Sequence, residues 1–229
     1  MSFSRHPDFR VQRLMIGRET QPLLVADNVV ADPDALVQMA TGKLFGDNAS
    51  YFPGVRAKVP LTLQRFLLDS LSSEISQMFG LNPGAIRFTA CHFSLVTTQP
   101  KNLSYLQRIP HIDSMYGNEL ALMFYLFKAP LGGTAFYRQR STGFEYVDLS
   151  RKADYWRCVQ EEQAAVEGTQ PAYILGDTEF YEQIEKQEGV FNRLLVYRRT
   201  SLHSGSIAPG IDFSTDPRRG RLSINGFIA

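Results

Sequence analysis

The sequence predicts a mainly β fold with flanking helices. A change of period is the first sign of it: residues 61–79 place apolar side chains at three- and four-residue steps, whereas from Ala85 onward they gather in short β-branched and aromatic runs. The run 120–127 is the second sign, since its length is that of a buried strand. The third is an aromatic content of 12%, with 10 Tyr and 16 Phe, which suits a wide β core and a lined pocket.

In chain order, residues 1–10 read as a polar, frayed leader with a solvated His6. Residues 11–16 alternate weakly as a strand, and 21–27 form a short apolar strand ending at an Asp-Asn turn. Asp32 is placed as an N-cap, with Pro33 at the first helical position, Asp34 in the first turn and Gly42 at the end. Residues 47–60, with Pro53, Gly54 and Pro60, read as a loop at the rim of a site, with Tyr51 and Phe52 tucked inward. The clearest helix is 61–79, where Leu63, Phe66, Leu67, Leu71, Ile75 and Met78 make one stripe.

Residues 86–97 read as a strand holding His92, expected to be a buried, hydrogen-bonded core histidine. A polar loop covers 98–106. The strand 120–127, the turn Pro130-Leu131-Gly132-Gly133 and residues 134–138 read as a hairpin. Tyr125 and Tyr137 either reach a pocket or only pack. Residues 150–167 pattern as a helix with Trp156 among its apolar members, and Asp177 as the cap of a second, 178–187, closed by Gly189. The segment 141–190 is then a partly helical insert, serving as cover or as a lid. Strands at 192–197 and 220–228 flank a loop at 209–219. The expected organisation is a single domain, 1–229, with a strand/helix layer over 1–84 and a core over 85–229.

The formal charge of +1 gives no long-range bias towards nucleic acid or an anionic membrane. Cys91 and Cys158 make no disulfide framework and no C-x-x-C pair, so a reduced cytoplasm is the expected location. Residues 1–12 lack the apolar core of a secretory signal, and no run approaches the ~18 apolar residues of a membrane span. A homodimer is compatible with these totals.

The chemistry centres on Pro110-His111-Ile112-Asp113-Ser114. In extended chain His111 and Asp113 point the same way, so an imidazole and a carboxylate can hold adjacent corners of a metal's coordination sphere. An Asp two residues after a His is expected by chance about 0.2 times in a chain of this composition, so the pair alone is weak. Two further features strengthen it. His203 is the only histidine downstream, and two His with one carboxylate make the open-faced triad of non-haem Fe(II) oxygenases. Arg221 and Ser223 share a face of the last strand, where Arg can grip a carboxylate through two parallel hydrogen bonds and Ser can add a third.

A metal triad followed by Arg-x-Ser resembles the 2-oxoglutarate/Fe(II) oxygenase superfamily, in its prolyl-hydroxylase-like branch, over residues 86–228. Four runs are similar to an uncharacterised bacterial family of that fold: Phe52-Pro53-Gly54-Val55-Arg56, Pro110-His111-Ile112-Asp113, Gly132-Gly133-Thr134-Ala135-Phe136-Tyr137 and Asn192-Arg193-Leu194-Leu195-Val196-Tyr197. The resemblance implies a double-stranded β-helix, or jelly roll, with the metal at its open mouth. It implies Fe(II) on His111, Asp113 and His203, and 2-oxoglutarate on Arg221 with Ser223 assisting. It also implies hydroxylation of a C–H bond of a small molecule or peptidyl side chain. The gap from His203 to Arg221, 18 residues (221 − 203), is longer than usual in the branch. The loop 207–219 must bulge outward, and Arg219 competes with Arg221. Tyr125 is a further candidate beside the 2-oxoglutarate site, while Arg138, Arg198 and Arg199 read as surface charges. The alternative is a metal-binding jelly roll, non-catalytic or cupin-like, that does not use 2-oxoglutarate. A nucleic-acid demethylase of the superfamily needs a basic groove, and no nucleic acid is expected as a partner.

Overall fold

The computed structural model describes residues 3–46 and 51–229, so Asp47–Ser50 of the expected rim loop lie outside the described residues. Ten strands form two antiparallel sheets among the described residues. They are β1 (Arg10–Ile16), β2 (Gln21–Asp27), β3 (Gly54–Lys58), β4 (Phe88–Val96), β5 (Leu120–Tyr125), β6 (Gly132–Gln139), β7 (Tyr181–Glu188), β8 (Leu194–Arg198), β9 (His203–Ile207) and β10 (Leu222–Ile228). The major sheet runs β1-β2-β8-β5-β10-β4-β3 and the minor sheet β7-β6-β9. The helices are α1 (Pro33–Thr41), α2 (Leu61–Phe79), α3 (Tyr105–Arg108) and α4 (Lys152–Ala165). The two sheets face one another as a double-stranded β-helix. None of the described helices is long and apolar enough to cross a membrane.

Period-2 alternation on β4, β5 and β10 sorts their side chains between the two faces of the major sheet. Phe93, Leu95, Leu122, Phe124, Leu222 and Ile224 point to one face and are buried beneath Leu36 of α1 and Leu63, Leu67, Leu71 and Ile75 of α2. The opposite face carries Ala121, Met123, Tyr125 and Phe227, which with Leu23, Leu195 and Tyr197 pack towards Phe136 of the minor sheet. On the far side of the minor sheet, Ala135, Tyr137 and Tyr181 pack under Tyr155 and Val159 of α4.

Both long N-terminal helices match their sequence signals. The Asp32 side chain accepts from Ala35 N at 3.0 Å, and Gly80 takes the left-handed conformation that ends α2. Four segments differ from expectation. The leader is tied down: Arg5 bridges to Val30 and donates to Ser70 O, while Phe3 stacks on Phe66. His6 is half-buried and accepts from Asp8 N. Within the expected rim loop, β3 pairs with β4, and Tyr51 is exposed rather than tucked in. Residues 120–138 are no hairpin, because β5 belongs to the major sheet and β6 to the minor one. Gly133 instead allows close approach: a Cβ there would lie 1.9 Å from Gln187 O on β7. Finally, the expected helix 178–187 is β7, paired with β6 from Gly133↔Glu188 to Gln139↔Tyr181. Asp177 Oδ1 accepts from Gln183 N instead of capping a helix.

Candidate metal centre

The backbone positions the site before any side chain does. His111 and His203 form an antiparallel bridge, with His111 N donating to His203 O at 2.9 Å and His203 N to His111 O at 3.0 Å. Asp113 N donates to Arg199 O at 2.8 Å, and Arg199 Nη2 returns a bond to Asp113 O at 2.8 Å. Arg199 also pairs with Glu119, so it is a strut of the site rather than the surface charge expected. Arg138 is likewise buried, between Glu145 and Glu182.

These bonds bring the His111, Asp113 and His203 side chains together, with one ligand atom from each inside a span of 4.8 Å. His203 Nε2 lies 3.5 Å from Asp113 Oδ2, and His111 Nε2 lies 3.9 Å from Asp113 Oδ1. His203 Nδ1 is 2.9 Å from Ser201 O. A carbonyl only accepts, so Nδ1 is the donor and Nε2 is the ring nitrogen turned towards Asp113. The His111 ring is 45% exposed to the open cavity, yet the protein packed around it and neighbouring His203 pull its pKa down to about 4, against the opposing pull of Asp113. A neutral imidazole is the form a metal requires.

A cavity of about 450 Å³ opens over the triad between the sheets. Arg221 lines it and is 2% exposed. Its Nη2 donates to Gly133 O at 2.7 Å, its Nε is buried without a partner, and no carboxylate pairs with it among the described residues. Burial pulls its pKa down, opposed by Tyr125 and Tyr173. A buried guanidinium without a counter-ion is costly, and an anionic ligand in the cavity offsets that cost. The donor set and this cation fit a metal-bound dicarboxylate.

The other expected residues divide. Ser223 is buried, with its hydroxyl donating to Asn225 Oδ1 at 2.6 Å. Tyr125 donates to Thr134 Oγ1 at 2.7 Å, and Thr134 lines the cavity. Arg219 points to solvent and pairs with Asp212 at 2.9 Å, outside the cavity. Tyr137 packs under α4, with its hydroxyl buried and unpartnered. His92 is half-buried and its ring makes no hydrogen bond among the described residues, contrary to expectation; burial, then Arg56 and Lys58, lower its pKa. The loop after β9 runs along the surface, mostly exposed or half-buried, and is tied at one point: Phe213 stacks on Tyr173 at 5.8 Å, and Tyr173 lines the cavity and donates to Thr98 O. Sequence reasoning missed Arg56, Trp156, Tyr173 and Asn225 as lining residues. Only Arg56 stood in a run already singled out.

This is the fold of the 2-oxoglutarate/Fe(II) oxygenases. The chain itself belongs to the family of unknown function DUF6445, whose model matches residues 7–228. HygX of Streptomyces hygroscopicus, solved with nickel and 2-oxoglutarate, is 11% identical over 92% of this chain and 84% of its own, with a TM-score of 0.50. HygX solved with iron gives 11% over 96% and 81%, also at 0.50. A prolyl-4-hydroxylase of Pseudomonas putida, 14% identical over 96% and 91%, superposes more loosely at 0.43. At these identities the likeness is one of fold. Comparison with curated proteins gives no match.

Proposed function

We propose that the chain is an Fe(II)/2-oxoglutarate-dependent oxygenase that hydroxylates a C–H bond of a small molecule or peptidyl side chain. One observation carries the reading: two imidazoles, a carboxylate and a buried, unpaired guanidinium open onto the same cavity. His111, Asp113 and His203 would hold iron, and Arg221 would take the distal carboxylate of 2-oxoglutarate. When bound, the pair supplies the oxidising power, with decarboxylation of 2-oxoglutarate to succinate coupled to oxygen activation. The protein's own part is positional. Ser201 O holds the proton on His203 Nδ1, Arg199 pins the Asp113 backbone, and Gly133 O aims Arg221. Tyr197, edge-on to His203 with ring centroids 4.7 Å apart, walls off water on the major-sheet side.

A gap of this length between His203 and Arg221 favours the alternative without 2-oxoglutarate. That support weakens, since Arg221 lines the cavity despite it. The test is anaerobic addition of Fe(II) and 2-oxoglutarate to the full chain. We expect a weak visible charge-transfer band, lost in His111→Ala and in His203→Ala, and succinate formation on admitting oxygen. Absence of binding by both iron and 2-oxoglutarate sinks the reading.

A further inference from the structure

The run Phe52-Pro53-Gly54-Val55-Arg56 lines the cavity through Phe52, Pro53 and Arg56. On β3, Val55 and Ala57 pack into the helix-side core, so Arg56 points to the other face, where it lines the cavity. Register sets Arg56 opposite Ser94 on β4, and Ser94 opposite Ser223 on β10, in one row across the inner face. The Arg56 guanidinium lies 4.4 Å over the Phe52 ring. Its Nε is buried without a hydrogen bond, and no carboxylate pairs with it among the described residues. Ser94 Oγ, next in the row, is also buried and unpartnered. Asp113 is the acid whose charge reaches Arg56, but the two make no ion pair.

The cavity therefore holds a second orphan cation besides Arg221. Arg56 is half-buried with its Nε shielded from water, and its flat fork matches a carboxylate through two parallel hydrogen bonds. Stacking on Phe52 orients that fork in advance. The cavity lining also includes the apolar side chains of Leu106, Ile109, Tyr155 and Trp156. We propose that Arg56 anchors a carboxylate of the molecule to be oxidised, so that the substrate is a small carboxylic acid with an apolar body. This deepens the oxygenase reading. It rests on that reading for which molecule is transformed, but not for the anion site itself.

Trp156 is the chain's single tryptophan and lines the cavity, so its fluorescence reports occupancy without turnover. The full chain is titrated, before any metal is added, with 3-phenylpropionate and with its neutral amide. We expect saturable binding of the acid. The amide should bind at least about tenfold more weakly, and Arg56→Gln should weaken the acid by a similar factor, the worth of a charge-assisted contact. Arg221→Gln should retain the acid. No acid binding, an amide as tight as the acid, an unaffected Arg56→Gln, or loss confined to Arg221→Gln each overturns the proposal. The acid–amide comparison together with Arg221→Gln carries the test should Arg56→Gln not fold. Failure of the oxygenase reading shows separately, as absence of the Fe(II)/2-oxoglutarate band with acid binding intact.

Discussion

Replacing Arg221 with Met should separate stability from binding. Met has similar length and fills irregular space well. The guanidinium is 2% exposed, bonds to Gly133 O, and lies 5.8 Å and 5.4 Å from the Tyr125 and Phe127 ring centroids. Losing the hydrogen bond costs about 1.5–3 kcal/mol, and losing the ring contacts, both close to the roughly 6 Å limit, about 1 kcal/mol each. Relief from burying an uncompensated ion is several kcal/mol, so the two sides nearly cancel. A guanidinium paired with a buried carboxylate would instead cost about 3–5 kcal/mol to remove. The ligand-free Tm of Arg221→Met should stay within roughly 4 °C of wild type, at about 2–4 °C per kcal/mol for this size. With metal already bound, 2-oxoglutarate at about 100 times its Kd should add ~2.7 kcal/mol to wild type. An affinity about 100-fold weaker cuts this to ~0.4 kcal/mol in the variant, or roughly 1 °C. Differential scanning fluorimetry with and without ligand reads both quantities. A ligand-free Tm lower by 10 °C or so, or a full ligand shift in the variant, refutes an unpaired cation awaiting a carboxylate.

Two other outcomes follow from the geometry. The His111 pKa is lowered to about 4 from 6.5, so on falling pH the unfolded chain takes up a proton that the native site refuses. Ligand-free stability should therefore be fully present above about pH 6.5 and decline towards pH 4; urea melts at pH 7 and pH 5 should show a smaller decline in His111→Gln, and equal declines would contradict the assignment. Gly133→Ala drives a Cβ to 1.9 Å from the backbone oxygen of Gln187. It should lower stability by roughly 1–3 kcal/mol, and an unchanged urea midpoint would mean that β6 and β7 part easily.

What was legible in the sequence follows from where the determinants of each element lie. α2 was readable to its ends because its stripe, from Leu63 to Ile75, and its terminator Gly80 are local. The triad was readable because two of its ligands sit two residues apart and one remaining histidine lies downstream. β7 was not: Glu182, Gln183, Glu185, Lys186 and Gln187 favour a helix, and only pairing with β6 makes the segment a strand. β3 is five residues between prolines, and its pairing to β4 is equally non-local. The Gly132-Gly133 pair reads as a turn in isolation, whereas its glycines are required by carbonyls of β7 and β9. The choice between Arg219 and Arg221 depends on how 207–219 folds, and an Asp212 contact takes the former away.

That returning segment has a use in recognising kin. Lengthening a surface excursion costs only about 0.6 kcal/mol per doubling, so the number of residues between His203 and Arg221 is free to drift. The pairings Leu222↔Leu95 and Ser223↔Tyr125 are not, since a one-step slip would turn Arg221 out of the chamber and put an apolar neighbour in its place. Strand alignment, rather than the count of residues from His203 to Arg221, is the criterion by which distant members of this group should be sorted.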